Sequence, residues 1–260
     1  MAKEERFPRL ARDAAQAVGL PADYETEQLA YFAHVVSEAD CFIDVGANKG
    51  VYAFLANSVM RGAEIYLIEA DPTLAESLQT ATLCWPDNSN NVSVLGVAAS
   101  DANGKLPFYA SEADTLGSLS RSKYNSSSMI SVETSRLDSL VPSKGANTVT
   151  VIKVDVEGFE YRALRGAEKH LQSPLTRVVA ELHGWGDPEA GKYPVHVAFL
   201  MAKYGFAIER IAGTFSYSFK KASLRRRTAS CAIYLPYLFI KYVARRIGIR
   251  SLLDRVNAKL

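Results

Sequence analysis

From residue 40 onward, short apolar and β-branched runs alternate with longer stretches in which apolar positions recur every three or four residues. That alternation belongs to βα units feeding a largely parallel sheet. It predicts strands over 41–45, 64–69, 92–97, 148–154, 177–182, 206–211 and 229–235, and helices over 50–59, 72–83, 158–171 and 193–204. The third of these helices opens after Gly158 and carries Tyr161, Leu164 and Ala167 at helical spacing. Two helices, 8–18 and 25–38, precede the first strand, the second with Leu29, Phe32, Val35 and Val36 on one face. They are expected to cover the sheet edge or a ligand. The polar stretch from Ser100 to Lys144, broken by Leu106–Tyr109 and Ile130–Val132, is too long for a plain connection and predicts a small hairpin with a functional loop. The expected architecture is a doubly wound, mostly parallel seven-stranded α/β sheet of Rossmann-like type. It divides into leading helices over 1–39, a central domain over 40–235 and a basic amphipathic helix over 236–260.

Length and composition bound this picture. At 260 residues and 48% hydrophobic content the chain can bury one full core and is short for two. The charged opening Met1–Arg6 precedes no apolar stretch of signal-peptide length. Cys41, Cys84 and Cys231 lack zinc-site spacing, and Cys41 and Cys231 sit in apolar runs, so a reducing cytoplasm is the expected setting. Residues 220–260 hold eleven Lys or Arg against one acid, Asp254, a charge of +10; the remainder, with 19 basic and 27 acidic residues, is at −8. Such asymmetry points the tail at an anionic partner, although solvated helix faces also collect charge.

The strongest local signal is Phe42-Ile43-Asp44-Val45-Gly46-Ala47-Asn48-Lys49-Gly50, a strand carrying an acid that turns through glycines into a helix. Gly46 permits the turn, Gly50 lets the helix approach the sheet, and backbone N–H groups at the helix start face a ligand. The spacing D-x-G-x-x-x-G differs from the dinucleotide pattern G-x-G-x-x-G. Asp44 would repel a pyrophosphate and suits the ammonium end of a methionine moiety. Glu69 ends the second strand, nineteen residues after Gly50, where a carboxylate can accept both hydroxyls of a ribose. Gly46, Asn48 and Gly50 complete the expected cofactor turn. Asp71, before Pro72, reads as a helix cap. Asp101, after the third strand, is either an acceptor for an adenine amino group or a turn residue.

The fourth strand reads Val151-Ile152-Lys153-Val154-Asp155-Val156-Glu157-Gly158-Phe159-Glu160. With the Asp44–Gly50 turn, Glu69–Pro72, Leu137-Asp138 and Glu181-Leu182-His183, it resembles the FkbM family of methyltransferases over residues 40 to about 183. The resemblance implies S-adenosylmethionine as cofactor and methyl transfer to oxygen, often a hydroxyl of a sugar, polyketide or related small molecule. In an open α/β sheet Asp44, Glu69, Asp155, Glu181 and His183 should converge at the strand ends. An acceptor hydroxyl must lose a proton, and His183 is the preferred base over Asp155, against the plainer reading of an exposed loop histidine. Asp155, Glu157, Glu160 and Glu181 carry oxygens enough for a magnesium ion, as in some catechol-type methyltransferases. The adjacent acid and Asn of those enzymes are missing at Glu181-Leu182, and acids at a helix start are favoured by its dipole alone, so no metal ligand is assigned. Lys153 can pair with one of these acids, a surface-facing side chain being the plainer reading.

Two other functions stay in view. A nicotinamide-dependent oxidoreductase shares the fold but needs the missing glycine pattern, and a non-catalytic binding protein could keep the fold. The tail, with Tyr237, Leu238, Phe239, Ile240, Val243, Ile247, Leu252, Leu253 and Val256 among Lys241, Arg245, Arg246 and Arg250, lacks a nucleic-acid motif. Its apolar run Cys231–Ile240 has ten residues and includes Pro236, too short to cross a bilayer, which needs about 20. A helix there suits an anionic membrane surface, or packing on the domain or on a second subunit.

Overall fold

The computed structural model describes residues 3–110, 117–120, 128–211 and 216–246. The chain runs through α1 (Lys3–Ala17), α2 (Thr26–Val36), β1 (Cys41–Val45), α3 (Val51–Val59), β2 (Glu64–Glu69), α4 (Pro72–Thr82) and β3 (Asn91–Gly96). A small excursion follows, β4 (Ala98–Ser100), β5 (Gly104–Ala110), β6 (Ser128–Arg136) and α5 (Leu137–Leu140). The second half is β7 (Thr150–Val154), α6 (Glu160–Arg165), α7 (Glu168–Gln172), β8 (Arg177–Glu181), α8 (Pro194–Lys203), β9 (Phe206–Arg210), β10 (Ser216–Lys221) and α9 (Leu224–Arg246).

Seven strands form one sheet in the order β3-β2-β1-β7-β8-β10-β9. All neighbours are parallel except β10, which runs antiparallel to both β8 and β9. Strand order reverses between β1 and β7, and ligands of open α/β sheets collect at the carboxyl ends of the strands beside such a switch. Both central strands are buried along their whole length. Their alternate side chains feed two cores. Ile43, Val45, Ile152 and Val154 face a layer with α5 to α9, while Phe42 and Val151 face α1, α2 and α3.

The leading helices cover a sheet face rather than its edge. Phe32 of α2 lies 5.0 Å from the Phe42 ring and 5.0 Å from that of Tyr52, and all three are buried. The expected helix 158–171 is two short helices. Gly166 separates them, its N–H bonded to the Arg162 and Ala163 carbonyls while its own carbonyl accepts the Asp138 N–H. The predicted hairpin is present as β5 and β6, with β4 added parallel to β6.

The expected strand at 229–235 is a helix, and the seventh strand is β10. In α9 up to Ile240 the half-buried and buried positions are Arg227, Ser230, Cys231, Tyr234, Leu235, Tyr237 and Leu238, a helical spacing against α8 and β9. The apolar run therefore carries a 3.6-residue period rather than a strand's alternation. The same helix passes through Pro236 instead of beginning there. Ile247, Arg250, Leu252, Leu253 and Val256 lie outside the described residues. Among the described residues no helix is long and apolar enough to cross a membrane.

Truncating Phe32 to Ala should cost about 3–5 kcal/mol, because it removes the ring that joins the leading helices to the sheet. Phe199→Ala, at a position 57% exposed, should change stability by less than about 0.5 kcal/mol. Urea unfolding of both variants checks the contrast; equal midpoints would mean that the leading helices do not fold with the sheet.

Candidate active site

Beyond the carboxyl ends of β1, β2 and β7 lies a cavity of about 370 Å³, within the range of small-molecule sites. Gly46 and Asn48 from the β1–α3 turn, Glu69 from the end of β2, and Asp155 and Glu157 after β7 form its polar side. Its apolar wall is built by Val97, Ala98, Phe108, Leu119 and Phe159. Phe108 and Leu119 come from the excursion after β3, which packs on Ala98, Val132 and Phe159 as a separate small cluster. Residues 117–120 are pinned there, Tyr109 and Ser118 bonding backbone to backbone and the Ser118 hydroxyl donating to the Val156 carbonyl at 2.8 Å.

The turn is shaped by close approach. Gly46 has φ 79°, and a Cβ there would lie 1.8 Å from the Asp155 carbonyl oxygen, so β1 and β7 meet at this point only without a side chain. Asn48 is also left-handed, with φ 50°, and its N–H donates to Glu69 Oε2 at 2.7 Å. The other oxygen, Oε1, accepts the Asp71 N–H at 2.8 Å. Burial raises the Glu69 carboxyl against those two bonds. Asp71 caps α4, Oδ1 accepting from Thr73 N at 2.8 Å and Leu74 N at 3.3 Å, as its place before Pro72 implies.

Asp44 is wholly buried, and among the described residues neither of its carboxylate oxygens has a hydrogen-bond partner, its nearest cation being in ion-pair range only. Its counter-charge is Lys153, directly opposite on β7, with Nζ 3.5 Å from Asp44 Oδ1 and 3.4 Å from Asp155 Oδ2. Nζ also donates to the Gly46 carbonyl at 3.2 Å and stands 4.7 Å from the centre of the Tyr52 ring. Lys153 is thus an interior cation, not a surface one. Burial by itself lowers its pKa, but Asp44, Asp155 and Glu25 together hold it well above the usual lysine value. Burial pushes Asp44 up to about 6 against the pull of Lys153.

His183 is not an exposed loop residue; its side chain is 8% exposed and sits among four acids. Nδ1 lies 2.8 Å from Glu160 Oε1, and Nε2 lies 3.3 Å from Glu157, 3.6 Å from Glu181 and 3.9 Å from Asp155. Burial alone would lower its pKa, yet the Glu160 hydrogen bond and the charges of Glu160, Asp155 and Glu157 push it up to about 10. Burial, with Asp155 nearby, pushes Glu157 and Glu181 up to about 7. Glu157 is held in left-handed backbone at φ 51°, and its carbonyl accepts from Trp185 Nε1 at 3.0 Å.

The structure thus brings Asp44, Glu69, Asp155, Glu181 and His183 together, as expected from the strand ends. Gly46, Asn48 and Glu69 line the cavity; Asp44 and Gly50 do not. Asp101 does not line the cavity. Its carboxylate accepts from Ser100 Oγ at 3.4 Å, and its carbonyl accepts from Arg136. Sequence reasoning assigned no site role to Phe108, whose only signal was the apolar Leu106–Tyr109 break in a polar stretch, or to Ser118 and Leu119, which carried none; of its two readings of Lys153, pairing with an acid is the one present.

With its folded pKa raised above the unfolded value, His183 contributes stability in full below about pH 6.5. That contribution is lost as pH rises through about 10. In ring ¹⁵N spectra recorded with chelator present, one histidine should stay doubly protonated across pH 6–8 while His196, whose pKa burial lowers, titrates below its ordinary value. A set of four histidines that all titrate near 6.5 would contradict the acid cage.

Residues 44–208 match the family model described as the methyltransferase FkbM domain. The hexuronic acid methyltransferase AglP of Haloferax volcanii is 28% identical over 152 residues, covering 58% of this chain and 59% of that protein. The 2-O-methyltransferase NoeI of Sinorhizobium fredii is 28% identical over 146 residues, 50% of this chain and 58% of that one. The match to these relatives therefore spans less than two thirds of their length. The crystal structure of Methyltransferase FkbM from Methylobacillus flagellatus shares the fold with a TM-score of 0.51 at 15% identity, over 81% of this chain and 58% of that one. With the family model matching more than half of its length, this chain belongs to the FkbM methyltransferase domain family.

Proposed function

We propose that the protein transfers a methyl group from S-adenosylmethionine to a hydroxyl of a sugar or glycan. The observation that carries this reading is the junction of two half-sites in one cavity. A buried acid beside a glycine turn meets an apolar wall, and acids crowd the opposite side. Glu69 suits the ribose hydroxyls, its oxygens already oriented by Asn48 and Asp71. The wall of Ala98, Phe108 and Leu119 suits a flat heterocycle. Asp44, through Lys153, sets the charge at the turn. Bound there, the cofactor supplies a methyl on a sulfonium, so the protein's main task is alignment. The sugar acceptor is supported by the names of the two relatives, a hexuronic acid methyltransferase and a 2-O-methyltransferase.

Of the two bases expected from the sequence, Asp155 lines the cavity and His183 does not. As an imidazolium, His183 has no lone pair to offer. We therefore assign proton removal to the carboxylates that face the cavity, Asp155 and Glu157. Glu157, raised to about 7, has a proton affinity suited to a base at neutral pH.

Calorimetry with S-adenosylhomocysteine tests the cofactor half. Binding should be saturable, and Glu69→Ala and Asp44→Ala should each weaken it by about 1–3 kcal/mol. Binding of NAD with none of S-adenosylhomocysteine would overturn the reading in favour of an oxidoreductase.

A peripheral contact with anionic membrane is also part of this proposal. Helix α9 leaves Ile233, Phe239 and Ile240 more than a third exposed, and its start carries exposed Arg225 and Arg226. In flotation with vesicles containing acidic lipid, the full chain should bind, release in high salt, and lose binding when residues 237–260 are deleted. Binding indifferent to lipid charge or to that deletion would leave α9 as a packing element.

A further inference from the structure

The two ring nitrogens of His183 stand in different settings. Its Nδ1 is closed on one carboxylate oxygen, Glu160 Oε1, at 2.8 Å. Glu160 is 2% exposed and is itself fixed by the Gly158 N–H at 2.8 Å. The ring is therefore locked, with Nε2 aimed away from Glu160 into a group of three further acids. Among the described residues Nε2 makes no hydrogen bond, although the side chain is 8% exposed and acid oxygens stand at 3.3, 3.6 and 3.9 Å. An imidazolium bound for its charge alone closes on one oxygen at about 2.7–2.9 Å, as Nδ1 does. Nε2 instead faces several oxygens at once.

Those spacings approach the ones that ligands of one metal ion keep, Glu181 at 3.6 Å within them and Asp155 at 3.9 Å slightly beyond. Donor atoms about 2.0–2.2 Å from an ion stand about 2.8–3.6 Å from one another at the angles of a tetrahedral or octahedral shell. One oxygen each of Asp155 and Glu181, together with a ring nitrogen of His183, lie within 4.8 Å of one another. A buried carboxylate on the far ring nitrogen is the usual support of a metal-bound histidine, since it fixes the tautomer and the ring plane. Charge agrees. Asp155, Glu157, Glu160 and Glu181 face His183 and a lysine that is shared with Asp44.

We propose that Asp155, Glu181 and His183 form a site for a divalent transition-metal ion, which displaces the Nε2 proton that His183 carries in the metal-free chain and releases it to solvent, with Glu160 orienting the histidine and Glu157 beside the ion. Imidazole in the ligand set suits Zn²⁺, and the two carboxylates beside it also admit Mn²⁺. Asp155 lines the cavity, so an ion there adjoins the space open to an acceptor. Next to a hydroxyl, such an ion acts as a Lewis acid that eases loss of its proton. That use rests on the methyl-transfer reading; metal binding itself does not.

The test uses the whole chain, stripped with chelator and free of S-adenosylmethionine, titrated calorimetrically with Mn²⁺, Zn²⁺ and Mg²⁺. One equivalent of Mn²⁺ or Zn²⁺ should bind at least about tenfold more tightly than Mg²⁺. His183→Gln and Glu181→Gln should each weaken that binding by about 10–100-fold, and Glu209→Gln, at a surface ion pair with Arg226, should leave it unchanged. Because either site variant can disturb folding, the unaltered protein supplies a second measurement. Substoichiometric Mn²⁺ should broaden the His183 ring signals before those of His34, His170 and His196. Absence of saturable binding overturns the proposal, as does broadening that spares His183. Metal binding without S-adenosylhomocysteine binding would sink the methyl-transfer reading alone, and the reverse result would sink the metal site alone.

Discussion

Lys153 is a cation in the middle of a sheet, on a strand whose other members are Thr150, Val151, Ile152 and Val154. Taking an ammonium out of water costs several kcal/mol, and it persists only with close counter-charge and hydrogen bonding. Here Asp44, Asp155, the Gly46 carbonyl and the face of Tyr52 supply both. The register of β1 against β7 follows, because sliding either strand by one residue would leave Asp44 and Lys153 buried apart. The glycine turn is tied to the same point, since Gly46 is where the Asp155 backbone passes closest.

Tyr52 extends this charge centre outward. Its hydroxyl donates to Glu25 at 2.6 Å and accepts from Gln28 at 2.5 Å, so the start of α2 is bonded to α3 directly beneath Lys153. Glu25 pays for that contact with left-handed backbone at φ 41°. The leading helices, which precede the span of the family match, are thereby joined to the cavity end of the sheet by polar as well as apolar contacts.

What the sequence disclosed and what it hid divide along the reach of each interaction. The central strands, the Asp44–Gly50 turn, the Glu69 strand end and the Asp71 cap were legible because each is encoded within about ten residues. Lys153 was left open between a nearby acid and the surface because its other partner, Asp44, lies 109 residues away on the neighbouring strand, a relation created only by register. His183 was left undecided between base and surface because Glu160, which locks it, stands 23 residues earlier on another element. At the other end of the chain, β10 escaped notice because Ser216 and Ser218 occupy buried positions, which reads as loop. The apolar 229–235 run imitated a strand until its burial period appeared.

The same division separates the two halves of the cavity. The polar half is made by strand ends, and its geometry is inherited from a sheet whose register is fixed by buried charge. The apolar half is made by Phe108 and Leu119, carried on a three-stranded excursion where they form a small cluster of their own. Sequence change in the excursion alters the wall without disturbing Lys153 or the turn, whereas change at Asp44, Gly46 or Lys153 disturbs both. A fold arranged in this way can keep the strand-end half of its cavity while the adjoining wall is remodelled, because the costly electrostatics and the adaptable surface reside in different segments of the chain.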